Sequence, residues 1–182
     1  MIFTETSIAG VWLIEPERVA DERGFFARTW DRDEFSLRGL DPRLVQCSIS
    51  FNHLRGTLRG LHYQAAPHEE NKLVRCTSGA LFDVALDLRP DSPTFKQWFG
   101  TELTADNRLA LYVPQGCAHG FLTLAAATEV SYQITQFYAP EAARGVRWDD
   151  PAFGIAWPGE VEVISERDRT YPDFEIQATR QA

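Results

Sequence analysis

Hydrophobic positions in this chain recur mostly with a period of two, not with the 3.6-residue period of an amphipathic helix. Over residues 81–88 one parity holds Phe82, Val84, Leu86 and Leu88, and the other holds Leu81, Asp83, Ala85 and Asp87. Val130, Tyr132 and Ile134 alternate with Ser131, Gln133 and Thr135, and Leu109, Leu111 and Val113 repeat the rhythm. Successive side chains of a strand point to opposite faces, so each run predicts a strand. Turn-forming groups interrupt the runs at short intervals: Glu22-Arg23-Gly24, Leu40-Asp41-Pro42, Arg55-Gly56, Ser78-Gly79, Arg89-Pro90-Asp91-Ser92-Pro93, Pro114-Gln115-Gly116 and Ala139-Pro140. A helix is predicted mainly over 31–38, where an Asp-rich start suits the N-terminus and Gly39 suits the stop. Many short strands with Gly/Pro turns predict a mostly β fold, a jelly roll with a few short helices. Such barrels close around a cavity, which makes inward-facing polar side chains the candidates for chemistry.

The length of 182 residues fits a single domain over 1–182 with its own core. Hydrophobic residues at 44% and charged residues at 24% are ordinary for a globular protein. Lys and Arg number 18 against 26 Asp and Glu, a formal charge of -8, which argues against a nucleic-acid partner. No stretch of about 18 apolar residues offers a membrane span. The start, Met1-Ile2-Phe3-Thr4-Glu5-Thr6, lacks the basic and apolar regions of a secretory signal. Cys47, Cys76 and Cys117 are odd in number and widely spaced, fitting neither a disulfide framework nor a zinc site. Two of them sit in apolar strand-like contexts, where a buried inert thiol is expected, and the expected compartment is the reducing cytoplasm.

Two of the four histidines, His53 and His68, sit in polar stretches that read as exposed loops. His62 lies in the strand-like Thr57-Leu58-Arg59-Gly60-Leu61-His62-Tyr63-Gln64, where period two puts Leu58, Gly60, His62 and Gln64 on one face. Gly60 leaves room there for a ligand or another backbone. His119 stands between Pro114-Gln115-Gly116-Cys117-Ala118 and the apolar Phe121-Leu122-Thr123-Leu124. Each of His62 and His119 is either a hydrogen-bonded core or rim residue or an acid–base group. A barrel metal site commonly needs two histidines one residue apart with a carboxylate nearby, whereas here Gln64 holds the second position and Glu69 and Glu70 fall in a Pro-containing loop. No metal is expected. Lys72 shares a parity with Val74 and Cys76, so it either aims a cation inward for a purpose or turns to solvent while Leu73 faces in. Tyr132 shares the face of Val130 and Ile134, which sends its hydroxyl inward. Asp168, in Ser165-Glu166-Arg167-Asp168, reads on its own as part of a solvated charge run. Arg23 marks a hairpin corner or an anion contact.

Several stretches occur in a telling order: Asp21-Glu22-Arg23-Gly24-Phe25-Phe26, Leu58-Arg59-Gly60-Leu61-His62-Tyr63-Gln64, Lys72-Leu73-Val74-Arg75, Phe82-Asp83-Val84-Ala85-Leu86-Asp87-Leu88-Arg89 with Ser92-Pro93-Thr94, Tyr112-Val113-Pro114-Gln115-Gly116-Cys117-Ala118-His119-Gly120-Phe121, and Trp148-Asp149-Asp150-Pro151 with Trp157-Pro158. From about Arg23 to Asp168 the chain thereby resembles the dTDP-4-dehydrorhamnose 3,5-epimerases, metal-independent cupin-type jelly rolls (double-stranded β-helices). The resemblance implies His62 as general base paired with Asp168, Tyr132 as general acid, and Lys72 as the group stabilising an enolate. It implies Arg59 and His119 in the sugar pocket and further substrate contacts from Phe26, Gln46, Ser48, Tyr138 and Arg167. Arg23 would reach the diphosphate from a partner subunit, its N-terminal strand region exchanged across a homodimer. No cofactor is implied, the ligand is a nucleotide sugar, and the tail from about 169 to 182 is expected to be peripheral. The implied reaction inverts C3, C5 or both of a nucleotide-linked 4-keto-6-deoxyhexose. The alternatives are a single-centre epimerase or ketoisomerase, a metal-dependent cupin enzyme, and a sugar-binding barrel without catalysis. Departures from the family pattern fall at Arg28, at Gln46-Cys47-Ser48 and around Ala143. In a regular strand Arg59 faces away from His62, so its pocket role requires a bulge or bend near Gly60.

Overall fold

Each alternating run becomes a strand because a partner strand lies beside it and a hydrocarbon layer lies under it. The computed structural model describes residues 1–175. In chain order the elements are β1 (Ile2–Glu5), β2 (Trp12–Glu15), β3 (Arg18–Asp21), β4 (Gly24–Ala27), α1 (Arg32–Leu37), β5 (Gln46–Asn52), β6 (Thr57–Gln64), β7 (Lys72–Ser78), β8 (Ala80–Asp87), β9 (Trp98–Thr104), β10 (Ala110–Val113), β11 (Cys117–Thr123), β12 (Thr128–Ile134), β13 (Ala143–Gly145), β14 (Val163–Ile164) and α2 (Glu166–Arg169). One sheet has the order β1-β2-β10-β7-β12-β5, and a second has β13-β6-β11-β8-β9 with β14 joined to β6. This is the jelly-roll arrangement expected from the sequence. The hairpin β3–β4 forms a separate two-stranded sheet.

The core lies between the two large sheets. Val74, Cys76, Leu111, Val113 and Val130 of the first meet Leu81, Ala85, Leu103, Cys117 and Phe121 of the second. Outside the first sheet, α1 lays Phe35 over Ile14, Leu73, Ala110 and Tyr112. Outside the second, Val146 and Phe153 cover Leu61, Val84, Leu86 and Ala118. β8 is thus buried on both faces, which explains why hydrocarbon appears on both parities of residues 81–88 and why Asp83 and Asp87 are buried there too. Burial raises the Cys76 thiol to about 11 and the Cys117 thiol to about 12, leaving both inert. Burial alone would raise the Asp87 carboxyl too, but hydrogen bonds from Arg89, Ser92 and Thr94 hold it at about 2.

Helix α1 forms where the sequence predicts it. Asp31 Oδ1 accepts from the N–H groups of Asp33 at 3.0 Å and Glu34 at 3.1 Å, capping the start. Gly39, with φ +70, turns the chain out of the helix. Helix α2 corrects the reading of Ser165-Glu166-Arg167-Asp168 as a solvated charge run: Ser165 Oγ accepts from the Asp168 N–H at 3.1 Å, and Asp168 is only 4% exposed. Near the end of the described residues, Phe174 packs against the cluster outside the second sheet. The Phe174 ring lies tilted against Phe153 with 5.1 Å between centroids, and the Phe174 N–H donates to Asp150 Oδ2 at 2.6 Å. Residues 176–182 lie outside the described residues. β1 pairs with β2, and β2 pairs in turn with β10 of the same chain. No helix of the described residues is long and apolar enough to cross a membrane.

Because Phe35 is 1% exposed at the centre of the outer cluster, Phe35→Ala is expected to lower the unfolding free energy by about 3–5 kcal/mol in urea denaturation. A loss below about 1 kcal/mol would show that α1 is not part of the packed structure.

Candidate active site

The site begins with an irregularity in β6. Pairing with β11 sets His62 opposite His119 but Arg59 opposite Phe121, three steps on one strand against two on the other. β6 therefore carries a bulge at Gly60. Gly60 has φ +120, and a Cβ there would lie 2.5 Å from Gly120 Cα, so only glycine fits. The extra residue reverses the parity. Arg59 and His62, which strict alternation sends to opposite faces, both line one cavity of about 670 Å³. Gln64 is drawn into holding loops instead: its amide donates to the carbonyls of His68 at 2.8 Å and Phe137 at 3.1 Å, and its Oε1 accepts from the Ala139 N–H at 2.6 Å.

His62 Nε2 lies 2.7 Å from Asp168 Oδ1. A carboxylate only accepts, so Nε2 carries the proton and the lone pair of the neutral ring sits on Nδ1. The two side chains differ in exposure, 41% for His62 against 6% for Asp168, so the imidazole is reachable while its partner is not. Burial would raise the Asp168 carboxyl, yet hydrogen bonds from His62, the Gly60 N–H and Ser165 bring it below the ordinary carboxylate range. The carboxylate stays charged beside the ring.

A second pair lies deeper, with His119 Nε2 2.7 Å from Asp83 Oδ1 and both residues buried. The Tyr132 ring meets His119 edge-on at 6.0 Å between centroids. Burial, reinforced by the Asp83 charge, pushes the Tyr132 hydroxyl well above its usual value, so it remains a proton donor. Arg59 Nε donates to Asn52 Oδ1 at 2.8 Å, which fixes its guanidinium. Lys72 is buried on the face of Val74 and Cys76, and its Nζ donates to the His62 carbonyl at 3.1 Å. It does not turn to solvent. His53 and His68 lie outside the cavity on loops.

Among the residues expected at the site, His62, Tyr132, Asp168, Lys72, Arg59, His119, Ser48 and Arg167 line this cavity. Gln46 and Tyr138 do not; the Tyr138 N–H donates to Gln46 Oε1 at 2.8 Å beside it. Arg23 and Phe26 sit on the β3–β4 hairpin away from the cavity, with Phe26 71% exposed and Arg23 paired with Asp21. Sequence reasoning missed Asp83 and Ser50. The signal for Asp83 was its inward parity in an apolar strand, where a carboxylate needs a partner. Among the described residues, no group of three or more His, Cys, Asp or Glu side chains is arranged to hold a metal ion.

The family model described as dTDP-4-dehydrorhamnose 3,5-epimerase matches residues 5–175. A protein of that name from Sinorhizobium fredii is 47% identical over 175 residues, 96% of this chain and 90% of the relative. The crystal structure of such an enzyme from Elizabethkingia anophelis superposes with a TM-score of 0.92 at 40% identity, covering 96% of each chain. Another, from Bacillus anthracis with TDP and PPi bound, gives 0.91 at 40% identity and covers 95% of this chain and 99% of its own.

The depressed Asp168 carboxyl makes stability depend on pH with a definite sign. Its contribution is complete above the unfolded value of about 3.9 and is lost as pH falls through the lower folded value. The stability difference between the parent and Asp168→Asn is expected to be largest near neutrality and to shrink in this acid window, as read by denaturant titration at several pH values. A difference independent of pH would contradict the depressed carboxyl.

Proposed function

We propose, from the premise that this chain belongs to the dTDP-4-dehydrorhamnose 3,5-epimerase family, that it inverts C3 and C5 of dTDP-4-dehydro-6-deoxyglucose to give dTDP-4-dehydrorhamnose. The observation that carries the reading is the His62–Asp168 pair opening onto a cavity that also holds the Tyr132 phenol. A carbonyl at C4 acidifies the C–H bonds on both neighbouring carbons, because the electrons left behind delocalise onto oxygen. His62 takes the proton on Nδ1, the C–H electrons form the C=C bond, and the C4 oxygen gains negative charge. Tyr132 then gives its hydroxyl proton to the carbon from the opposite face as the carbonyl re-forms. Exchange with solvent restores the imidazole and the phenol.

The division of roles follows from the environments. Imidazole has an unperturbed pKa of about 6.5, which suits a base at neutral pH, and the Asp168 carboxylate steadies the imidazolium that forms. Positioned acid–base groups supply typically ~10²–10⁴-fold each. Lys72 stabilises the developing oxyanion, with Arg59 and His119 against the sugar. Ser48 and Arg167 contact the substrate at the cavity wall, and Gln46 and Tyr138 contact it farther out.

The working unit is a homodimer. β5 is the outer strand of its sheet, and Ile49 and Phe51 on it are 68% and 46% exposed. An open edge with exposed apolar side chains is a site for strand pairing between copies. The β3–β4 hairpin, exposed along most of its length, is the element that crosses over, bringing Arg23 to the diphosphate and Phe26 beside the substrate in the partner's site. The enzyme works in the cytoplasm, a reducing compartment in which Cys47, Cys76 and Cys117 need no disulfide partner.

Product NMR in deuterated water tests the reaction. Two deuterium labels, at C3 and C5, are expected; one label identifies a single-centre epimerase, and a displaced carbonyl identifies a ketoisomerase. His62→Ala is expected to reduce wash-in by about 10²–10⁴-fold, and an unchanged rate would refute its role as base. Tyr132→Phe is expected to bind substrate normally and to convert it slowly. Sedimentation is expected to give a dimer, and Arg23→Ala to raise KM while leaving kcat close to the parent. A monomer with full activity would overturn the exchanged hairpin.

A further inference from the structure

Glu70 belongs to the loop between β6 and β7 and does not line the cavity. Its Oε1 lies 3.0 Å from Lys72 Nζ, and the Glu70 and Lys72 side chains are only 10% and 11% exposed. The same ammonium donates to the His62 carbonyl. Lys72 is thus held by a carboxylate from outside the cavity and by a backbone carbonyl of β6 while it forms part of the cavity wall. The loop is clamped on both sides of Glu70. Gln115 Nε2 donates to the Glu69 carbonyl at 3.2 Å, and the Asn71 N–H donates to Thr135 Oγ1 at 2.9 Å. The carboxylate is therefore a fixed anchor, not a mobile surface charge.

We infer that Glu70 is the positioning residue for Lys72, keeping its ammonium against the cavity wall where the substrate's C4 oxygen gains negative charge; this rests on the role of Lys72 given above. A lysine stem is flexible, and a cation inside an apolar wall withdraws toward water unless a partner compensates its lost hydration. Glu70 supplies that compensation from behind. Standing outside the cavity, it does so without setting a carboxylate in contact with the enolate. An ammonium has three N–H donors, and with one given to the His62 carbonyl and one directed at the Glu70 carboxylate, the third remains for the substrate.

Kinetics of Glu70→Ala, Glu70→Gln and Lys72→Met, alone and combined, test the inference, with deuterium wash-in over long incubations for the slow variants. Glu70→Ala is expected to lower kcat about 10–100-fold with KM within about threefold. Glu70→Gln keeps the length and an acceptor oxygen and is expected to lose less, about three- to tenfold. In the Lys72→Met background neither substitution is expected to lower the rate further, because the residue they act through is gone. If thermal melts show Glu70→Ala unfolded, the Glu70→Gln pair decides. Parental kcat in the Glu70 variants, a loss confined to KM, or full additivity with Lys72→Met would overturn the role of Glu70. Parental kcat in Lys72→Met itself would overturn the reading of Lys72, and Glu70 with it.

Discussion

Two glycine backbones in near contact govern the rest of the molecule. A Cβ on Gly60 would lie 2.5 Å from Gly120 Cα, and one on Gly120 would lie 2.8 Å from the Arg59 carbonyl oxygen. Real Cβ atoms do not approach so closely, so β6 and β11 can adopt this spacing only with glycine at both positions. The approach accompanies the bulge that turns Arg59 toward the same cavity as His62 and sets His62 opposite His119. Gly60 also donates its N–H to Asp168 Oδ2 at 3.3 Å, while Asp168 Oδ1 meets His62. One residue thus shapes the strand and helps seat the carboxylate that orients the base.

Charge is concentrated around the cavity in pairs. Asp168 faces His62, Asp83 faces His119, and Glu70 faces Lys72, each within 3.0 Å. Buried pairs of this kind are weak sources of stability, since desolvation offsets much of their attraction. Their value lies in protonation state and direction. Asp168 remains ionised and fixes the proton of His62 on Nε2, while burial keeps Tyr132 protonated. A base and an acid with well-separated affinities for the proton can then serve one substrate carbon from two sides. The hydrocarbon core beside them, with Val74, Cys76 and Val130 at 2% exposure or less, gives these groups a rigid wall.

Much of this was legible in the amino-acid order. Alternation over 81–88, 109–113 and 130–135 gave the strands, the Asp31 start and Gly39 stop gave α1, and the parity of Tyr132 gave its inward direction, while that of Lys72 left both directions open. These are local properties: a period of two assigns faces within one uninterrupted strand, and a cap needs only neighbouring groups. The tertiary structure decided that the period does break near Gly60, which the sequence offered only as the condition for Arg59 to reach the pocket, because the bulge depends on a strand 60 residues away. It likewise decided that Asp168 leaves solvent for His62, 106 residues distant, and that Asp83 finds His119. Arg23 shows the same boundary from the other side. Its type suggests an anion contact, but in one chain it rests on Asp21 at the tip of a hairpin, since the meeting of distant segments depends on packing that no local pattern encodes.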